Sequence, residues 1–184
     1  MFPWLWGALL AAWIGSETLY ARCPGGRSSL DRGSSGVMLA SLLANVAVVL
    51  VLIKAGIGQL SGPSWPHRTA GLAMAFGGVW LRVWAIRTLG RFFTSAVEVA
   101  ADHSVIASGP FRWLRHPGYA GVMLFGCGMI LALGSWAGAL VYLFAHGQAM
   151  HYRITVEERA LQAQLREAYV AYCARTWRMC PFVY

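Results

Sequence analysis

Long apolar segments alternate with short polar segments along the chain. Three apolar segments approach the roughly 20 residues that a helix needs to cross a bilayer. They run from Phe2 to Tyr20, from Val37 to Ile53 and from Thr69 to Ile86. The cluster of Gly62, Pro63 and Pro66 precedes the third segment and predicts a loop there. The pattern therefore predicts three membrane-spanning helices in this part of the chain.

A fourth apolar segment, Gly121 to Met150, contains no formal charge. At 1.5 Å per residue it is too short for two full spans, and Gly134 and Ser135 interrupt it, so a tight helical hairpin is predicted. Apolar residues then recur at near-helical spacing through residues 151–184, which predicts an amphipathic helix that Pro181 ends. The predicted fold is an all-α integral membrane protein. It has about five transmembrane helices, including a C-terminal helical hairpin, and a cytoplasmic amphipathic C-terminal helix.

The composition also indicates a bilayer as the surrounding solvent. Hydrophobic residues make up 58% and charged residues 12% of the 184 residues, whereas about 25% of a typical soluble domain is charged. This composition excludes a disordered chain and argues against a soluble enzyme. The length suits a single domain.

The net charge of +8 is distributed over the loops between apolar segments. This distribution favours a positive cytoplasmic membrane face over nucleic-acid binding. Lys and Arg are most frequent in the first polar loop, Ala21 to Gly36, and in the third, Arg87 to Arg115, so both loops and the polar C-terminal segment are expected in the cytoplasm. The four cysteines form no C-x-x-C pair, and no metal site is expected. We predict an integral protein of a bacterial-type inner membrane with its catalytic face in the cytoplasm.

Two features near the third loop carry candidate chemistry. Arg82 lies inside an apolar helix, where a charge is costly and usually faces a partner or a wet cavity; the alternative is that it snorkels to the nearby interface. The run from Arg115 to Tyr119 combines a cation, an imidazole, a proline, a glycine and a phenol. Proline in a first helical turn leaves a helix N-terminus that favours an anion such as a carboxylate. The alternative is an interfacial belt in which Arg and Tyr anchor a helix.

Glu157 and Glu158 form the third candidate feature. Carboxylates can bind a cation or a ribose diol, and Arg153 nearby can bind a carboxylate. The alternative is a solvated helix face on which Arg153 and Glu157 form an i,i+4 pair. The residues alone leave both interpretations open. The sequence also lacks the G-x-G-x-x-G fingerprint of a Rossmann cofactor domain.

Four blocks of residues follow one another between about residue 80 and the C-terminus. They are Leu81-Arg82 with Thr88-Leu89-Gly90 and Phe93; His103-Ser104-Val105-Ile106 with Gly109-Pro110-Phe111-Arg112; Arg115-His116-Pro117-Gly118-Tyr119-Ala120-Gly121; and Arg153, Glu157-Glu158 and Leu161 with Tyr169, Tyr172 and Pro181. In this order they resemble the isoprenylcysteine carboxyl methyltransferase family of membrane enzymes and, more distantly, the phospholipid methyltransferases. Two positions depart from the family pattern. Leu165-Arg166 stands where the family often has Phe-Gly, and Phe111 stands where it has Tyr.

The resemblance implies that S-adenosylmethionine is the methyl donor and binds at the cytoplasmic face. It also implies a single methyltransferase domain over residues 1–184, with N-terminal transmembrane helices in residues 1–68 and the cofactor-binding and catalytic core in residues 80–184. The residues implied to line the adenosine are His103, Ser104, Val105, Ile106 and Phe111. Those implied to hold the rest of the cofactor are His116, Pro117, Gly118, Tyr119, Glu157 and Glu158. Arg82 and Arg153 would address the acceptor.

The chemistry of methyl transfer agrees with a carboxylate acceptor. A carboxylate is ionised at neutral pH, so it needs a cation to orient it but no general base. The prediction is therefore isoprenylcysteine-type carboxyl methylation of a lipophilic or prenylated acceptor, in contact with membrane lipid and without a nucleic-acid partner. Three alternatives remain. A lipid amine methyltransferase would need a proton acceptor such as Glu158 or His116; an NADPH-dependent membrane reductase would bind a different cofactor; and a scaffold or transporter would have no enzymatic activity.

Overall fold

A computed structural model describes residues 33–62, 64–93 and 104–184, together with Gly7, Ala11, Ile14, Gly15 and Asp31. Apart from those isolated positions, the predicted first span, Phe2 to Tyr20, lies outside the described residues. Every secondary-structure element assigned in the described part of the chain is a helix. The all-α prediction is therefore confirmed for that part.

Five α-helices form the described fold. Their bounds are Ser34–Lys54 for α1, Ser64–Leu89 for α2, Pro117–Ala132 for α3, Trp136–Val141 for α4 and Gly147–Cys173 for α5. A π-helical turn, Tyr142–His146, connects α4 to α5, and short 3₁₀ turns occupy Gly90–Phe92 and Gly109–Arg112. By length and composition, two of the described helices can cross a membrane. These are α1, with mean hydropathy 2.6, and α2 with its 3₁₀ extension to Phe92, with mean hydropathy 1.3.

Helix α1 carries its apolar side chains on the outside of the described fold. Leu43 is 61% exposed and Val51 is 63% exposed. Its buried residues include the polar side chains Ser34 and Asn45. This inverted pattern is typical of a helix that faces hydrocarbon and turns its polar side chains inward.

The hairpin between α3 and α4 lies where the sequence predicted it. Gly134 adopts φ 86°, a left-handed conformation that favours glycine. The Ser135 side chain accepts a hydrogen bond of 3.2 Å from the backbone N–H of Gly138 and caps α4. Beyond the hairpin, the helical path continues through the π turn into α5 without a loop.

Two predicted boundaries are wrong. Helix α2 begins at Ser64, so Pro66 lies in its first turn rather than in a loop. Proline is tolerated there because first-turn N–H groups have no partner within the helix. Helix α5 ends at Cys173, well before Pro181. The last residues form turns that fold back onto the body of the protein.

Four glycines allow α2 and α3 to pack with their backbones in contact. A Cβ atom at Gly78 would lie 2.6 Å from the carbonyl oxygen of Gly121, and one at Gly71 would lie 2.6 Å from that of Gly128. Small residues repeated at helix interfaces allow this close approach in membranes. The contact places Arg82 of α2 beside the first turn of α3, with 3.4 Å between its Nη1 and the carbonyl oxygen of Gly118.

Candidate active site

One large cavity of about 830 Å³ lies between α1, α2, α3 and the π turn with α5. Charged and polar side chains line one end, among them Arg82, His116, Tyr119, Arg153 and Glu157. The other end is lined mainly by apolar residues of α1, α3 and the hairpin, such as Val46, Val49, Leu50, Ile130 and Leu133. The cavity is thus polar at one end and apolar over most of its length.

The N-terminus of α3 lies at the polar end. His116 occupies the N-cap position, and Pro117 begins the helix. The loop before α3 pairs with the C-terminal segment, since the N–H of Arg115 donates to the carbonyl of Trp177 at 2.7 Å and that of His116 donates to Arg178 at 2.9 Å. The folded-back C-terminus therefore fixes the loop that presents the positive end of the α3 dipole to the cavity.

Tyr119 joins two charged side chains of α5. Its hydroxyl donates to Oε2 of Glu157 at 2.6 Å and accepts from Nε of Arg153 at 3.0 Å. The ring of His116 stacks on Tyr119 with 5.5 Å between ring centroids. These contacts hold the phenol, the imidazole and the two charged groups in one fixed arrangement.

Arg153 also binds the start of α1. Its Nη1 lies 2.9 Å from Oδ1 of Asp31, 3.0 Å from Oγ of Ser34 and 2.9 Å from Oγ of Ser35. Burial raises the pKa of Asp31, but hydrogen bonds from the two serines and the charge of Arg153 hold that pKa below its usual value. The Asp31 carboxylate is therefore ionised at neutral pH and compensates the buried guanidinium.

Glu158 points away from the main cavity into a separate cluster of ion pairs. Its carboxylate lies 3.2 Å from Nη1 of Arg115, 3.2 Å from Nε2 of His116 and 2.9 Å from Nη2 of Arg178. Burial raises the pKa of Glu158, but the hydrogen bond with His116 and the charges of His116, Arg115 and Arg178 hold that pKa below its usual value. Glu158 thus joins α5 to the loop before α3 and to the C-terminal segment.

Most of the predicted site residues lie around one cavity. The structure places nine of them on its wall: Arg82, Val105, Ile106, Phe111, His116, Gly118, Tyr119, Arg153 and Glu157. Ser104 is exposed, while Pro117 is buried in the first turn of α3. Glu158 lies in the ion-pair cluster, and His103 is outside the described residues.

The sequence did not predict which side chains form hydrogen bonds and ion pairs with these residues. Asp31, Ser34 and Ser35 lie in the stretch assigned to a polar loop, and Arg178 lies in the segment assigned to a helix. One signal was available, because an acidic residue just before an apolar run favours a helix N-terminus. Asp31 does accept a hydrogen bond from the backbone N–H of Ser35 at 3.1 Å. Among the described residues, no group of three or more His, Cys, Asp and Glu side chains is placed to hold a metal ion.

The fold is similar to that of a membrane enzyme whose structure has been solved. The chain aligns with the solved structure of the eukaryotic intramembrane Ras methyltransferase ICMT (isoprenylcysteine carboxyl methyltransferase) with a TM-score of 0.67. The alignment covers 97% of this chain and 67% of that chain at 20% sequence identity. At this sequence identity, the comparison shows a similar fold.

Sequence comparison identifies the family. The model of the isoprenylcysteine carboxyl methyltransferase (ICMT) family matches residues 71–163. A probable protein-S-isoprenylcysteine O-methyltransferase of Oryza sativa subsp. indica is 27% identical over 183 residues, covering 98% of this chain and 96% of the relative. Protein-S-isoprenylcysteine O-methyltransferase B of Arabidopsis thaliana is 27% identical over 161 residues, covering 82% of each chain. The chain belongs to the isoprenylcysteine carboxyl methyltransferase family, and the prediction of a membrane methyltransferase is confirmed.

Proposed function

We propose that this protein transfers a methyl group from S-adenosylmethionine to the carboxylate of a lipophilic acceptor of the S-prenylated cysteine type. The observation that carries this proposal is the large cavity, which joins a charged end to a long apolar end. A molecule with an ionised carboxylate and a hydrocarbon chain matches both ends. The names of the Oryza and Arabidopsis relatives support this acceptor class.

The residues at the polar end fit the proposed methyl donor. S-adenosylmethionine carries a carboxylate, an ammonium group, a ribose diol and an adenine. The N-terminus of α3 suits the carboxylate, and Glu157 suits the ammonium group or the diol. In the described structure Glu157 uses Oε2 for Tyr119, while Oε1 has no hydrogen-bond partner and is available as an acceptor. Apolar contacts for the adenine come from Val105, Ile106 and Phe111.

The chain's own residues act mainly by positioning and by excluding water. When bound, S-adenosylmethionine supplies a methyl group on a positively charged sulfur. The acceptor carboxylate is already ionised, so no residue has to remove a proton from it. Arg82 and Arg153 reach the cavity from α2 and α5, and we assign them to orient the carboxylate. The apolar wall excludes water from the reaction.

We also propose a membrane arrangement. The polar end of the cavity faces the cytoplasm of a bacterial-type inner membrane, and the protein crosses the bilayer about five times. The soluble cofactor enters from the cytoplasm. The acceptor enters sideways from the bilayer and places its chain in the apolar end.

Binding and turnover by the purified full-length protein in lipid nanodiscs test this function. Calorimetry is expected to show saturable binding of S-adenosylhomocysteine and none of NADPH. With radiolabelled S-adenosylmethionine, N-acetyl-S-farnesylcysteine is expected to gain label that mild base releases as methanol, since a methyl ester is labile to base. Label that resists base on phosphatidylethanolamine would indicate an amine methyltransferase instead. A folded sample that binds no S-adenosylhomocysteine would contradict the proposal.

A further inference from the structure

Two polar side chains on the cavity wall, together with a serine that contacts both, interrupt the apolar end of the cavity. They are Ser41 and Asn45 of α1 and His146, the last residue of the π turn, and we call them the polar cluster. Asn45 is 4% exposed and His146 is 2% exposed, and both line the cavity. Asn45 lies near the middle of α1, a helix of 21 residues that is long enough to cross a membrane. The polar cluster is therefore deep within the region assigned to hydrocarbon.

Hydrogen bonds inside the polar cluster fix the orientation of each group. Nδ2 of Asn45 donates to the backbone carbonyl of Ser41 at 2.8 Å. A carbonyl oxygen can only accept, so this contact identifies the amide nitrogen and leaves Oδ1 on the other side. Oγ of Ser41 lies 3.4 Å from the same amide nitrogen and 3.1 Å from Nδ1 of His146. Ser41 thus contacts both other members of the cluster, and its hydroxyl donates to Nδ1 or accepts from it according to the tautomer of His146.

Within the described structure, Oδ1 of Asn45 is a buried acceptor without a hydrogen-bond partner. The side chain of His146 also lines the cavity. The bond between Ser41 and His146 contributes to holding α1 against the π turn, as polar residues do between membrane helices. Helix packing does not account for Oδ1 of Asn45, which is costly to leave unpaired in a hydrocarbon environment.

A purely hydrocarbon ligand chain would leave Oδ1 of Asn45 unpaired. An ether or carbonyl oxygen in the chain could not donate to it. A hydroxyl group can donate to it, and its acceptor sites also suit His146 when Nε2 carries the proton. Resting on the proposed function, we propose that the acceptor carries a hydroxyl group on its apolar chain and that the polar cluster recognises it.

The position of the cluster also limits where the hydroxyl lies. Ser35, which binds Arg153 at the reactive end, and Asn45 are ten positions apart on α1. At 1.5 Å per residue they are about 15 Å apart along the helix axis. The hydroxyl is thus remote from the methylated carboxylate, and the cluster determines specificity without taking part in the chemistry.

Matched pairs of acceptors test this proposal with the full-length protein in nanodiscs. Each pair consists of an S-alkylated N-acetylcysteine and the same compound with one hydroxyl on the chain, at successive positions along it. For one position, the wild-type kcat/KM for the hydroxylated compound is expected to exceed that for its hydrocarbon partner about tenfold, which is the size expected when a buried unpaired acceptor gains a hydrogen bond. Asn45→Leu is expected to remove this preference. Val49→Ala alters the same wall one helical turn away without changing its polarity, and it is expected to keep the preference.

Binding of the corresponding methyl esters, measured as a thermal shift, separates this proposal from the proposed function. If no carboxylate is methylated, the proposed function fails, while stronger stabilisation by a hydroxylated ester than by its hydrocarbon partner still supports the polar cluster as a site. Equal kcat/KM and equal thermal shifts within every pair would overturn the proposal and indicate that a trapped water satisfies the cluster. A preference that survives in Asn45→Leu would also overturn it. The wild-type comparison decides the outcome if that variant does not fold.

Discussion

Glu157 and Glu158 are neighbours in sequence, yet their carboxylates have different surroundings. Successive helical residues point about 100° apart, so one carboxylate faces the cavity and the other faces the C-terminal segment. Glu157 shares the hydroxyl of Tyr119 with Arg153, whereas Glu158 binds three basic groups. One side chain thus lines the cavity, and the other joins α5 to the loop before α3 and to the C-terminal segment.

Substitution of each glutamate by glutamine is expected to separate these two roles. Glu157→Gln should weaken binding of S-adenosylhomocysteine about tenfold, because a charge-assisted hydrogen bond is lost, and should change the melting temperature little. Glu158→Gln is expected to lower the melting temperature by several degrees, because Arg115 and Arg178 lose their counter-charge. Calorimetry and thermal unfolding on the same samples measure both effects. An unchanged affinity of Glu157→Gln would remove this residue from the cofactor site.

Arg166 shows a second effect at the scale of a single residue. It adopts φ 47° and ψ −125° inside α5, a conformation that glycine adopts easily and other residues adopt only with strain. The family often has glycine at this position. Arg166→Gly is therefore expected to raise the free energy of unfolding by about 1 kcal/mol. The adjacent Glu167→Gly, an exposed site without positive φ, should lower it by about 1 kcal/mol. Denaturant unfolding checks the opposite signs, and a loss of stability in both variants would contradict the strained geometry.

At the scale of the helices, the contact between α2 and α3 positions Arg82 at the polar end of the cavity. A Cβ atom at Gly78 would lie 2.5 Å from the backbone nitrogen of Phe125, which no side-chain rotation can relieve. Gly78→Ala is thus expected to push the helices apart, to cost about 1–3 kcal/mol of stability and to lower methyl transfer, because Arg82 follows one turn later on α2. Gly77→Ala is the matched control, since nothing lies within 4 Å of its added Cβ. Equal stability and activity of the two variants would show that the helices do not pack this closely in the membrane.

The apolar pattern predicted these helices well where the bilayer determines them and less well at their ends. The predicted spans Val37 to Ile53 and Thr69 to Ile86 lie within α1 and α2, because about 20 apolar residues form a helix in hydrocarbon wherever they occur. The end of α5 was misplaced by eight residues because long-range pairing, not local pattern, sets it. Backbone bonds between the loop before α3 and the C-terminal segment hold that segment out of the helix.

The candidate site, like the helices, could be predicted only in part from the local sequence. Local motifs identified the residues at the start of α3 and on α5. The pairing of Arg153 with Asp31 joins positions 122 residues apart, and neither spacing nor periodicity reports on such a distance. The orientation of the polar residues of α1 could not be predicted from the sequence for a further reason. Ser41 and Asn45 barely reduce the mean hydropathy of the span, so the hydropathy pattern does not indicate that they point inward.

At the scale of the whole molecule, acid is expected to loosen the connections between distant segments. The pKa values of Glu158 and Asp31 are lowered in the folded protein from usual values of 4.5 and 3.8. A carboxylate with a lowered folded pKa contributes stability above its unfolded pKa, and this contribution is lost as the pH falls through the folded pKa. These two groups therefore predict a constant melting temperature from pH 7 to pH 5 and a decrease below about pH 4.5.

Comparison with Glu158→Gln isolates the contribution of the ion-pair cluster. Glutamine does not ionise, so the melting temperature of this variant should lie below that of the wild type at pH 7 and approach it as the pH falls below about 4. Glu167→Gln, which changes an exposed carboxylate of the same helix, should follow the wild-type curve throughout. Thermal unfolding in detergent across this pH range measures all three proteins. A constant difference between Glu158→Gln and the wild type down to pH 3 would mean that the Glu158 carboxylate is not held by Arg115, His116 and Arg178, and that the C-terminal segment is bound to the loop before α3 by its backbone alone.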